Sequence, residues 1–156
     1  MTVASWTLMG TCHCGAIRAT LRSTKAPEAL QVRACQCSFC ARHGAMTASD
    51  PAGRATFQLQ RAALTRYQFG TRTGTSLICA RCGIYAGVIL EDGGQMWSVL
   101  NVRGLAVAEL QGRSAEPVVY DGETAQARIA RRKAKWTPTE IVWLGSAPNV
   151  CEAIPS

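Results

Sequence analysis

"TCHCGAIRATL", Thr11 to Leu21, sets two cysteines one residue apart and follows the second with a glycine. What that pair does depends on the rest of the cysteines, of which the chain has eight in 156 residues. They fall in four places: Cys12 and Cys14 as C-x-C, Cys35, Cys37 and Cys40 as C-x-C-x-x-C, Cys79 and Cys82 as C-x-x-C, and Cys151 alone. Residues i and i+2 of an extended chain face the same side, so a C-x-C aims both sulfurs at one point. A C-x-x-C in a tight turn does the same. Zinc takes four soft ligands about 2.3 Å away in a tetrahedron, and two such pairs from distant segments supply one.

The glycines suggest which pairs belong together. Cys14 precedes Gly15 and Cys82 precedes Gly83, whereas Cys40 is followed by Ala41, Arg42 and His43 before Gly44 arrives. A glycine after the last ligand lets the turn take a positive φ and point its amides at the sulfurs. "CHCG" and "CARCG" therefore read as halves of a closed, structural site on Cys12, Cys14, Cys79 and Cys82. Cys35, Cys37 and Cys40 are left together. Three protein ligands and an open fourth position are what a catalytic zinc requires; the spacing equally allows a second structural site closed by His43 or Cys151. A thioredoxin-like reading of "CARC" lacks the βαβ context. His13, between two ligands, reads as a surface residue. His43 shares a face with Cys40 if the segment is helical, as an acid–base group or a fourth ligand. Cys151 reads as a free thiol.

The length suits one domain, here taken as residues 1–156. No apolar run reaches the length of a membrane span, and "MTVASWTLMG" lacks the basic start of a secretory signal. A cytoplasmic protein is expected, where disulfides are rare and clustered cysteines bind metal or act catalytically. The formal charge is +7. Zinc on four thiolates carries net −2 and on three net −1, so two filled sites bring the total to about +4. Such a mildly basic protein suits small anionic substrates as well as nucleic acid. The basic stretch at Arg128, Arg131, Arg132, Lys133 and Lys135 reads as a solvated helix face. No aromatics interleave with it, which speaks against nucleic acid.

Short alternating segments at Ala16–Arg22, Ala29–Cys35, Ala55–Gln60, Thr65–Phe69, Ser76–Cys79, Tyr85–Glu91, Gln95–Val102 and Pro117–Tyr120 predict strands. Asp92-Gly93-Gly94 is a hairpin signal. Helix is expected over Gly122–Lys135, and "TPTE" at Thr137–Glu140 has a capping-box pattern that announces another. Trp97, Trp136 and Trp143 are expected in the core or a pocket wall. The fold class is one mainly β domain with short helical additions near the C-terminus.

"GTCHCGAIRATL", "CQCSFCARHGA", Phe69-Gly70 and "CARCG" resemble the glutathione-dependent formaldehyde-activating enzyme family, which includes centromere protein V. The motif core spans about residues 10–105. The resemblance implies a zinc-bound fold of the β-tent type, a complex of small antiparallel sheets, with two zinc ions per chain. One is structural, on Cys12, Cys14, Cys79 and Cys82. The second sits on Cys35, Cys37 and Cys40 and carries the catalysis. It further implies a carbon–sulfur lyase or synthase reaction joining glutathione, or another small thiol, to formaldehyde or a related small carbonyl. The alternative is a non-catalytic, zinc-stabilised module that binds a protein or nucleic acid. The chain departs from the family pattern at Ala41, Arg42, Ile78 and Ile84, positions expected to reshape the substrate pocket.

Overall fold

A computed structural model describes residues 5–145. The chain runs through β1 (Trp6–Thr11), β2 (Ile17–Ser23), β3 (Arg33–Cys35), helix α1 (Ser38–His43), β4 (Thr47–Ala48), β5 (Arg54–Gln60), β6 (Leu64–Tyr67), β7 (Thr75–Cys79), β8 (Tyr85–Asp92), β9 (Gln95–Asn101), β10 (Glu116–Val118), helix α2 (Ala125–Lys135) and β11 (Thr137–Leu144). The protein is mainly β, as the alternation predicts. Most pairings are antiparallel; β10 lies parallel to β3 and β11 parallel to β5.

The strands form two groups that meet at β11. On one side β1, β2, β5 and the end of β11 are neighbours; on the other, β9 joins the start of β11 to β4 and β3, and pairs with the β8–β7–β6 meander. The core between them is aliphatic. Leu8, Ile17, Leu21, Phe57, Leu59, Leu77, Ile89, Leu100 and Leu105 are all essentially sealed from solvent. The alternation along β2 and β5 puts every second side chain into it. Gly87 is required there: a Cβ would stand 2.5 Å from the Val99 carbonyl oxygen and 3.1 Å from the Phe57 ring. Gly93 and Gly94 both have positive φ between paired Asp92 and Gln95, the two-residue turn that the sequence signalled.

Three expectations need correction. Thr137–Glu140 begins strand β11, not a helix. The capping-box reading weighed the local pattern alone; the alternating Ile141 and Trp143 pack against the core, and the Thr137 hydroxyl accepts from the buried Asp50 N–H at 2.8 Å. Pro138 is tolerated where β11 leaves β9 and takes up β5. Ala29–Cys35 is strand only from Arg33, because Pro27 opens a 3₁₀ turn. Cys12 and Cys14 lie in the turn after β1 rather than on extended chain. Among the described residues, no helix is long and apolar enough to cross a membrane.

Candidate functional site

The β1–β2 turn and the β7–β8 turn carry the first cysteine group. The Sγ atoms of Cys12, Cys14, Cys79 and Cys82 all lie within 4.8 Å of one another. Cys14 Sγ is 3.8 Å from Cys12 Sγ and 3.5 Å from Cys79 Sγ. The two turns are built alike. Cys12 and Cys79 donate their N–H groups to the carbonyls of Ile17 and Ile84, five residues on. Gly15 at φ +83° and Gly83 at φ +79° close the turns and donate back to the Cys12 and Cys79 carbonyls. The amides of Ile17 and Cys82 point at sulfur, 3.2 Å from Cys12 and 3.5 Å from Cys79. Burial raises the Cys12 and Cys79 thiols well above their ordinary range. Four such sulfurs, two of them fully buried, are a donor set suited to a soft tetrahedral ion.

The second group forms where β3 runs into α1. Cys35, Cys37 and Cys40 bring their sulfurs within 4.8 Å of one another. Cys37 is the N-cap of α1, and its sulfur accepts from the Cys40 N–H at 3.4 Å. Gly44, at φ +57°, ends the helix after a single turn and a half. The thiols of Cys35 and Cys40 share a proton. A hydrogen bond from Cys40 brings Cys35 down to about 5, and the same bond, with burial, pushes Cys40 far up. A thiol held low beside two others is a donor suited to capture of a cation.

His43 is not in that cluster. It is exposed at the end of α1, with its ring 4.7 Å from Phe39 and 5.5 Å from Tyr85. His13 is exposed, as expected, and Cys151 lies outside the described residues.

The three sulfurs open into a cavity of about 450 Å³. Phe39, Phe69, Val88, Val99 and Trp136 supply apolar wall, and Tyr85, fully buried, stands beside the cysteines. Burial and the cysteine charges hold the Tyr85 phenol well above its usual range, so it stays protonated. Ala41, Arg42, Ile78 and Ile84 do not line the cavity, contrary to expectation.

The sequence reading missed the opposite wall. Arg33, Arg128, Arg131 and Arg132 line it, together with Asp121. The solvated-face reading of the α2 arginines is thus corrected: the helix lays them across the mouth of the three-cysteine pocket. The signal was their spacing. Positions 128, 131, 132 and 135 fall on one helical face, and Ile129 and Trp136 pack that end against Leu90 and Val99. Glu123 accepts from one guanidinium edge of Arg131, from Nε at 2.9 Å and Nη2 at 3.0 Å, and approaches Arg128 at 3.5 Å. Thr124 caps the helix N-terminus at 3.1 Å.

The model of a family described as glutathione-dependent formaldehyde-activating enzyme matches residues 7–117. No curated protein matches the chain. Among solved structures, a Rhodobacter sphaeroides protein determined by a structural-genomics centre is 31% identical. It aligns with 72% of this chain and 99% of its own length, with a TM-score of 0.49.

Proposed function

The chain belongs to the glutathione-dependent formaldehyde-activating enzyme family, and from that premise we propose that it is a zinc-dependent carbon–sulfur lyase or synthase. Its substrates are glutathione, or another small thiol, and formaldehyde or a related small carbonyl. The observation that carries the reading is the three-sulfur cluster facing a cavity, with no fourth side chain closing it among the described residues. In the reaction, the thiol sulfur bonds to the carbonyl carbon, the carbonyl π bond breaks, and the thiol proton ends on oxygen. No oxidant or reductant is needed.

Cys35, Cys37 and Cys40 are the residues that would hold the zinc, which when bound lowers the pKa of a thiol or polarises a carbonyl oxygen. The rest is supplied by the chain. Phe39, Phe69 and Trp136 give the cavity apolar wall. The neutral Tyr85 phenol offers a hydrogen-bond donor beside the sulfurs. His43, exposed at the end of α1, stands apart from the three sulfurs. Cys12, Cys14, Cys79 and Cys82 would hold the structural ion, tying β1–β2 to β7–β8. The unit that does this is one domain, and a cytoplasmic location keeps its thiols reduced.

The test is a steady-state assay with glutathione and several aldehydes, following adduct formation by NMR above the uncatalysed rate, with metal content measured alongside. Cys37→Ser is expected to lose one metal equivalent and the rate enhancement together. A Cys37→Ser protein that folds, keeps the other ion and turns over as fast as the wild type would sink the assignment.

A further inference from the structure

We propose that Arg132, with Arg128 beside it, forms a carboxylate-binding subsite that selects substrates carrying an acid group separated from the reactive thiol by a short carbon body. It rests on the reading that this cavity takes a thiol substrate.

The argument starts from an uncompensated charge. Among the described residues, Arg131 and Arg128 share Glu123, but Arg132 has no acidic partner. Its side chain donates to the neutral Thr73 hydroxyl at 2.8 Å, and its guanidinium lies 4.6 Å from the Trp136 ring centre. The Nε atoms of both Arg132 and Arg128 are buried with no hydrogen-bond partner. Burial and the adjacent arginines bring the Arg132 guanidinium down to about 10, a sign of how poorly its charge is met. A buried cation without a counter-charge is costly, and an orphaned N–H on it costs more.

The simplest rival is that these arginines merely balance the cysteine thiolates. That role needs only positive charge near the sulfurs; it leaves the Nε–H groups of Arg132 and Arg128 without an acceptor, which a ligand in the cavity would supply. Arg132, Tyr85 and the three cysteines line one cavity, so a ligand that meets Arg132 shares that space with the sulfurs. The guanidinium fork matches a carboxylate in two-point geometry. The apolar wall of Val88, Val99 and Phe39 asks for a carbon body between acid and thiol, and the volume suits a small organic molecule. Both arginines sit on α2, beyond residues 7–117 that the family model matches.

The test is calorimetric titration of the full chain with S-methylglutathione, which keeps the carboxylates but has no free thiol, and with its dimethyl ester. The wild type is expected to bind the acid and to discriminate against the ester. Arg132→Gln is expected to weaken acid binding about ten- to a hundredfold and to leave ester binding unchanged. Arg132→Lys, which keeps the charge and the stack on Trp136, falls between and serves if the Gln variant does not fold. Equal binding of acid and ester, equal loss of both in the variants, or no binding of the acid overturns the proposal. Turnover of glutathione with formaldehyde is measured separately. Acid-selective binding without turnover keeps the subsite and removes the reaction; turnover without acid selectivity does the converse.

Discussion

Replacing one cysteine of each group by serine separates the two sites by what they do to the fold. Cys37 caps a six-residue helix that buries no side chain. Serine is itself among the best N-caps, and losing a cap altogether costs only about 1 kcal/mol, so Cys37→Ser is expected to change stability by less than that. Cys14 is different. Its sulfur touches those of Cys12 and Cys79, and the cluster ties together two turns that sit 65 residues apart in the chain. A structural zinc is worth about 10–16 kcal/mol in small domains, as much as the whole stability of about 5–15 kcal/mol. Losing a third of it, about 3–5 kcal/mol, lowers Tm by about 6–20 °C at about 2–4 °C per kcal/mol. The assay is a thermal melt followed by circular dichroism, with metal per chain by mass spectrometry. Cys37→Ser should melt within about 4 °C of the wild type with one ion fewer, and Cys14→Ser should melt far lower or not fold. If the two variants melt alike, the division into a structural clamp and a working site is wrong.

Chelator titration should release metal in two steps. The first comes from Cys35, Cys37 and Cys40 with the β-sheet signal intact, and the second comes with its loss; simultaneous release contradicts this. Gly15→Ala should cost about 1–2 kcal/mol in urea unfolding, all of it from the positive φ, because no atom lies within 4 Å of the new Cβ. Gly87→Ala should cost more, since its Cβ meets backbone. Burial of Asp50 would raise its carboxyl, but hydrogen bonds from the Thr24 N–H and hydroxyl, the Ala52 N–H and the Ser23 hydroxyl outweigh this and hold it below its ordinary range. With the folded pKa depressed, the stability it gives is full above the unfolded value of about 3.9 and lost as pH falls through the folded one. Asp50→Asn should cost about 2–4 kcal/mol at neutral pH and flatten that acid limb; an unchanged limb refutes the assignment.

Much of the fold was legible because β2 and β5 alternate along their length and β8 is a short apolar run bounded by turns. Ala55–Gln60 and Tyr85–Glu91 emerge within a residue of β5 and β8. The cysteine partition was legible for a local reason too: Gly15 and Gly83 mark two turns that must each adopt positive φ. What failed was long-range. Thr137–Glu140 carries a helix-start pattern, yet Asp50 takes the Thr137 hydroxyl and Phe57 lies opposite Ile141 across the parallel pair. β1 was missed because its burial is broken by exposed Trp6 and Met9. The α2 arginines were read as solvated because charge on a helix usually is; only the fold reveals that β3, α1 and the segment after β6 stand opposite them.

The two walls of the cavity differ in origin, and this bears on what a family likeness can transfer. The cysteines that face the cavity sit on β3 and α1, inside residues 7–117; the arginines that face them sit on α2, outside it. Thiolate clusters are held by short-range turns, whose demands on φ and on sulfur placement leave few sequences that work. A substrate's second functional group is met by whichever element closes the cavity, and only its charge and reach are constrained. Reaction type is therefore expected to follow the cysteines, and substrate choice to follow α2. A family member with the same cysteines but no arginine at the place of Arg132 should run the same addition on a neutral thiol. Exchanging the α2 segments between two such proteins should move the acid preference without moving the metal content, and a preference that stays with the cysteine-bearing half would place specificity elsewhere.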